Sequence, residues 1–253
     1  MERDAAYFEF LCRMGDNALV LGHRVSEWCG MGPVLEEDIA LANIALDLIG
    51  QTQMWLGLAG EVEGKGRSAD DLAMLRDVWD FRNLLLVEQP NGDFGQTMMR
   101  QFLFDAWHLA MLRGLEQSSE PRVAEIAAKA VKEITYHVER SADTVIGLGD
   151  GTTESHARMQ NALDLLWPYV GEMFAADAVD EMMAAEGIAP DLAALRQGYD
   201  GEVARVMKAA TLSIPESGFA HKGGKSGFQH SEHLGHMLTQ MQWLQRAYPG
   251  AAW

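Results

Sequence analysis

Residues 35–60 read LEEDIALANIALDLIGQTQMWLGLAG, and this stretch decides the fold class. Its apolar positions Leu35, Ile39, Ala42, Leu46, Ile49 and Leu56 recur at spacings of three, four and seven, the repeat of one helix face. A second apolar line, Leu41, Ile44, Leu48, Trp55 and Leu58, runs beside the first. A helix apolar over most of its circumference belongs at the centre of a bundle.

The flanking sequence carries the same signal with clear punctuation. A first helix is expected from about Asp4 to Cys29, stopped by the run Gly30-Met31-Gly32-Pro33. After the break at Gly64-Lys65-Gly66, Ser68 opens a short helix with Asp70 and Asp71 in its first turn, where the helix dipole favours negative charge. The turn Pro90-Asn91-Gly92-Asp93 precedes a long helix to about Gln117. Pro121 suits the first position of the next, which ends near Gly147 to Gly151. Thr152 or Thr153 caps a helix that should kink at Trp167-Pro168. Two more helices are expected at about 190–211 and 230–247, separated by a Gly-rich loop over residues 213–227. Period-two strand patterns are nearly absent. Long helices joined by short connections pack antiparallel. The expectation is an all-α, ferritin-like helical bundle with additional C-terminal helices. It forms a single domain over residues 1–253, with the core at about 4–185 and C-terminal helices and loop at about 186–253.

Bulk properties narrow the function. The 253 residues hold 20 Lys and Arg against 37 Asp and Glu, a net charge of −17. Duplex nucleic acid and anionic membrane surfaces both select basic patches, so neither is an expected partner. No apolar run reaches the roughly 20 residues of a membrane span, and no signal-type segment follows the acidic start. The two cysteines, Cys12 and Cys29, fit buried thiols in a reducing compartment. A cytoplasmic protein is expected.

A polar line runs through the helices. Asn43, Asp47 and Gln51 stack along one face at roughly 6 Å intervals. Asp105 and His108 are three apart, Glu133 and His137 four apart, and Glu27 lies near the end of the first helix. Bundles that hold two bridged irons use Glu-x-x-His on two helices and a further Glu on each of the others. No Glu-x-x-His occurs in this chain. The best candidate segments are Leu48-Ile49-Gly50-Gln51 and Ile134-Thr135-Tyr136-His137, with an apolar residue where each bridging carboxylate belongs. An inward register through Glu27, Gln51, Asp105 and His137 leaves two carboxylates and one imidazole, too few to balance two ferrous ions. Asp47 and Glu133 are each turned about 100° from that register. The set Glu27, Asp47, Gln51, Asp105, Glu133 and His137 reads as a vestigial polar cluster, and no metal is expected on this chain. Asp105 with His137, or Asp47 with an arginine, is an expected internal ion pair, since a buried charge needs a partner. His230, His233 and His236 spread too widely round a helix for one small metal site.

Six runs carry a family resemblance: Ser26 to Gly30, Glu37 to Ile44, Leu46 to Gln51, Asn83 to Phe94 (NLLLVEQPNGDF), Phe104 to His108 and Lys132 to His137. The match continues through Leu148-Gly149-Asp150-Gly151-Thr152 to Met241 through Arg246. The chain resembles the C-type component family of the bacterial ring-1,2-phenylacetyl-CoA epoxidases, multicomponent monooxygenases of aerobic phenylacetate degradation. The resemblance implies a non-catalytic, structural subunit. Its partners would be a catalytic A-type subunit of the same fold, which carries the diiron centre, and a small B-type subunit. Phenylacetyl-CoA would be reached through the complex, with electrons from a separate NADPH-dependent reductase. Two other readings use the same residues: a chain that binds iron and activates oxygen itself, or a free-standing ferritin-like binding module.

In a pairing role, the outward parts of the first, second and fourth helices are the expected interface, with Trp28, Trp55 and Trp79 as aromatic anchors and Trp253 as a further docking side chain. Two basic places invite contact with coenzyme A. Arg82 stands within Asp80-Phe81-Arg82-Asn83, and Lys222 and Lys225 bracket two glycines whose backbone N–H groups suit an anion.

Overall fold

The structure is a computed structural model, and it describes residues 2–251. Trp253 lies outside the described residues. Ten α-helices account for the architecture of the described residues, with no strand among them: α1 (Arg3–Ser26), α2 (Leu35–Glu63), α3 (Ala69–Met74), α4 (Leu85–Glu88), α5 (Phe94–Leu115), α6 (Pro121–Gly149), α7 (Thr153–Leu166), α8 (Ala178–Ala185), α9 (Leu192–Ala209) and α10 (Glu232–Ala247). Two 3-10 turns, Val78–Asp80 and Trp167–Phe174, complete the set. None of these helices is long and apolar enough to cross a membrane.

The expected stops and starts act where the chemistry places them. Ser68 and Asp71 cap α3 reciprocally, each side chain accepting from the other's backbone N–H. The Asp93 carboxylate accepts from the Gln96 N–H at 2.9 Å to start α5. Pro121 opens α6 and Thr152 caps α7. At Trp167-Pro168 the α-helix does not bend but ends, and the chain tightens into a 3-10 turn because Pro168 has no N–H to continue the ladder.

The helices fall into two compact groups. The first gathers α1, α2 from Ile39 onward, α3, α4 and α10. Within it α1 is buried on every side, including its polar residues Arg13, Asp16, Asn17 and Arg24. Asp16, Asn17 and Arg24 bind the chain that follows α3. Asp16 pairs with Arg76 and accepts from the Arg82 N–H at 2.8 Å, while Asn17 accepts from the Leu84 N–H at 2.8 Å. Arg76 also lies over the Phe81 ring, 4.5 Å from its centre. Gly22 lets α1 approach α2: a Cβ there would stand 3.1 Å from the Leu48 Cβ.

The second group holds α5 to α9 together with Met31–Asp38. Here α5 is the central helix, buried on nearly all faces. α6 carries a clear apolar stripe (Val123, Ile126, Ala127, Ala130, Ile134, Val138), with His137 and Ser141 buried beside it. Glu37 pairs with Arg140 of α6 and Asp38 accepts from the Gly32 N–H, which fixes the segment before α2.

Two expectations need correction. The apolar line Leu41, Ile44, Leu48, Trp55 and Leu58 is buried, whereas in the other line Leu35, Ile39, Leu46 and Ile49 are exposed, Ala42 is half-buried and only Leu56 is fully buried. The second apolar line of α2 is therefore uncovered as far as Ile49 and joins the core by Leu56. Cys12 is buried, with its thiol pushed up to about 12 chiefly by burial, whereas Cys29 lies beyond the end of α1 and is exposed.

Candidate functional site

In the second group, the polar residues expected inside the bundle meet between α5 and α6. Asp105 is fully buried. Its Oδ1 accepts from Gln101 Nε2 at 2.8 Å, and Ser141 Oγ approaches its Oδ2 at 3.5 Å while donating to the His137 carbonyl at 2.7 Å. Burial pushes the Asp105 carboxyl up to about 7, only partly offset by the neighbouring His137 and the two hydrogen bonds. His108 packs against Phe104 with ring centres 5.0 Å apart, and its Nδ1 has no hydrogen-bond partner. Burial first, and the like charge of His137 second, push His108 down to about 3. Both groups are thus driven toward their neutral forms. Ile134, one turn before His137, is fully buried and offers no donor.

Glu27 is not inward: it follows the last turn of α1 as its exposed C-cap residue, held by Arg24 Nη1 at 3.1 Å. α1 ends at Ser26, so Glu27 stands at its C-cap and not within the helix. Gln51 is buried, Asp47 and Glu133 are half-buried, and Leu48 is fully buried. Among the described residues, no three His, Cys, Asp or Glu side chains gather closely enough to hold a metal ion.

In the first group the structure reveals a polar centre that the sequence pattern did not disclose. Glu88 is fully buried at the end of α4. Its Oε1 accepts from Asn83 Nδ2 at 2.9 Å and contacts His230 Nδ1 at 2.5 Å, and its Oε2 accepts from Ser231 N at 2.7 Å and Ser231 Oγ at 2.6 Å. The other His230 nitrogen faces the Phe81 carbonyl at 3.2 Å. Arg24 adds hydrogen bonds to the Glu88 carbonyl at 2.9 Å and the His233 carbonyl at 3.3 Å. The sequence signal was a Glu inside an otherwise apolar run, Leu84-Leu85-Leu86-Val87-Glu88. His230 precedes α10 instead of riding on it, so the three histidines do not share one wet helix face.

The two coenzyme A candidates belong to this same framework. Phe81 and Asn83 are fully buried, which removes them from ligand reach, and Asp80 is exposed. Arg82 spends its donors internally, on Glu9 at 2.6 Å and on the Trp79 and Phe81 carbonyls at 2.7 and 2.8 Å. Lys222 is exposed but Lys225 is buried. The glycines between them serve close packing: a Cβ on Gly224 would stand 2.5 Å from the Asn83 carbonyl oxygen. Of the tryptophans, Trp55 is a core residue with no exposed surface, Trp28 is half-buried, and Trp79 is exposed.

Comparison with known proteins identifies the family. The family described as phenylacetic acid catabolic protein matches residues 1–253. The chain is 48% identical over 244 residues to the C subunit of 1,2-phenylacetyl-CoA epoxidase from Escherichia coli (strain K12), a match covering 96% of this chain and 98% of that protein. The all-α architecture is the ferritin-like helical fold of that family.

Proposed function

The chain belongs to the phenylacetic acid catabolic protein family, and from that premise we propose that it is the structural, non-catalytic subunit of a cytoplasmic phenylacetyl-CoA epoxidase complex. It pairs with an A-type catalytic subunit that carries the diiron centre, and a small B-type subunit joins the assembly. It folds as one ferritin-like domain and binds no cofactor of its own.

The observation that carries the pairing is the bare face of α2. Ile39, Leu46 and Ile49 are 53%, 66% and 45% exposed in the first half of a 29-residue helix. With the half-buried Ala42 they repeat at spacings of three, four and three, which is the seam spacing of paired helices. Burying each large side chain on a partner contributes about 1.5–3 kcal/mol. A seam of this kind extends into an obligate interface, which commonly buries about 2,000 Å² or more. The chain then acts by bracing. An oxygenase bundle holds its ligands to within about 0.5 Å only if its own helices are supported.

The chemistry of the donor set supports placing the iron elsewhere. The diiron pattern requires carboxylates at the levels of Leu48 and Ile134, where buried aliphatic side chains stand. Asp105 and His108 are driven neutral by burial, and Glu27 is exposed and paired with Arg24.

The test is the double variant Leu46→Glu/Ile49→Glu, produced together with the catalytic subunit. The isolated variant should keep its helical circular dichroism, because both side chains already face outward. It should no longer co-elute with the catalytic subunit, and epoxidation should be lost. Normal co-elution and turnover of the variant would refute the pairing face. Recovery of about two irons from the anaerobically reconstituted wild-type chain alone would refute the non-catalytic role.

A further inference from the structure

A second exposed surface lies on the C-terminal helix, and it differs chemically from the α2 seam. α10 is bolted to the end of α3: Gln242 Nε2 donates to the Ala73 and Arg76 carbonyls at 2.9 and 3.0 Å, and Arg246 Nη2 donates to the Leu75 and Arg76 carbonyls at 3.1 and 2.8 Å. Between α10 and the 3-10 turn Val78–Asp80 this leaves a groove of about 420 Å³. Val78, Gly235 and Leu238 contribute apolar surface to it, and Trp243 and Arg246 stand along it. The aromatic side chains around it are unusually bare. Trp79 is 63% exposed, Trp243 59% and Tyr248 56%, with the Trp243 and Tyr248 rings in edge contact at 6.2 Å. Leu75, also exposed, continues the patch into a neighbouring cavity of about 360 Å³ with Asp70, Asp71 and Tyr248.

The charges on this surface point to one kind of occupant. Asp77 lines the groove, Asp70 and Asp71 line the adjoining cavity, and Asp80 at the end of the 3-10 turn and Glu232 at the start of α10 are exposed. The guanidinium that lines the groove, Arg246, is already paired with Asp77 at 2.9 Å. An acidic rim round bare tryptophan repels the phosphates of a coenzyme A ester. It attracts lysine and arginine, and tryptophan faces also favour cations. Three aromatic side chains at this exposure offer roughly 300–400 Å² of apolar surface, well under the ~800 Å² that one partner buries in a standard interface. The surface therefore fits a short segment, not a whole domain face.

We propose that the groove between α10 and the Val78–Asp80 turn receives a short basic segment with an aromatic or aliphatic anchor, donated by another subunit of the same complex. The anchor enters between Val78, Leu238 and Trp243, and the basic residues lie along Asp70, Asp80 and Glu232. Because the groove is pre-formed by the bonds from Gln242 and Arg246, binding orders the incoming segment and not α10. This proposal rests on the reading of the chain as part of a complex.

The co-expressed complex tests it, with its composition read by native mass spectrometry at low and high salt and with hydrogen exchange on α10. Three forms are compared: wild type, Trp79→Ala/Trp243→Ala, and Asp70→Lys/Glu232→Lys. All four substituted positions are exposed, and each variant's isolated fold is checked by circular dichroism. The wild-type complex should protect the exposed face of α10 from exchange and weaken with salt. Each variant should bind the subunit that supplies the segment at least tenfold more weakly, while contacts sensitive to Leu46→Glu persist. Unchanged affinity and salt dependence in both variants, or no protection of α10 on assembly, would overturn the proposal while leaving the α2 pairing untouched. A wild-type chain that recovers no partner at all would overturn both.

Discussion

Asp105 offers the sharpest test of the interior, because its environment gives the pH dependence a definite sign. Its carboxyl is raised from 3.8 to about 7, first by burial. The folded state therefore holds a proton through a range where the unfolded chain has released it. By linkage, Asp105's contribution is fully present below about pH 4 and is lost as the pH rises to about 7. A shift of this size corresponds to on the order of 4 kcal/mol across that window. His108 works in the opposite direction. Lowered from 6.5 to about 3, it stays neutral in the fold while the unfolded chain takes up a proton. Its contribution is present above pH 6.5 and is lost on acidification toward pH 3. Between about pH 4 and 6.5 the two slopes oppose, so the pair contributes little net pH dependence in the wild type. Asp105→Asn removes one slope and keeps the shape, and the Asn carbonyl still accepts from Gln101. Urea unfolding at intervals from about pH 4 to 8 should show the variant gaining on the wild type as pH rises to about 7, by on the order of 4 kcal/mol, then tracking it. The variant's own stability should climb with pH up to about 6.5. Parallel profiles for the two proteins would show that Asp105 is ionised in the fold and that the cluster is not neutral.

Two further substitutions probe how the fold is held. Glu88→Ala leaves His230, Ser231 and Asn83 facing an empty acceptor site in the interior. It should cost about 3–5 kcal/mol in urea unfolding and increase hydrogen exchange at the start of α10; a loss under about 1 kcal/mol would mean that water replaces the carboxylate. Tyr199→Phe removes a fully buried hydroxyl that has no hydrogen-bond partner. The change should be neutral or stabilising by up to about 1–2 kcal/mol, and a drop in unfolding midpoint would reveal a partner for that oxygen.

Periodicity made the helices readable but not the side of α2 that the chain covers. Leu46 and Leu48 are equally apolar, yet one faces out and the other is fully buried. An interface seam and a core seam follow the same spacing, so pattern alone cannot separate them. Caps were legible where the chemistry was strong, as at Ser68 and Thr152, while Asp93 was legible only as part of a turn. α8 escaped notice although Asp177 and Asp180 form the reciprocal cap that marks it; a helix of eight residues carries too little periodicity to register. α4 is shorter still, and the Leu84 to Val87 run that buries it gives no period. The α5–α6 polar cluster was readable because Asp105 and His137 each sit on a strong helix register. The Glu88 centre was not, since its partner His230 is 142 residues away in a loop.

The two buried acids show how the same side-chain chemistry is put to opposite uses by donor count. Glu88 has four contacts to N–H and O–H groups or ring nitrogen, drawn from Asn83, His230 and Ser231. With its oxygens saturated it ties α4 to the start of α10, and nothing further can coordinate there. Asp105 has one short hydrogen bond, from Gln101, and a long one from Ser141. That is too little to offset burial, so the carboxyl rises to about 7 instead of holding a charge. A metal centre needs the reverse: acids that remain anionic because cations and surrounding hydrogen-bond donors stabilise them. Beside Asp105, His108 is held neutral and Ile134 fills the level of a bridging carboxylate. The proposed bracing role asks of this interior only that it pack and support the helices docked against it, and the large buried aliphatic and aromatic side chains of α5 and α6 supply that packing.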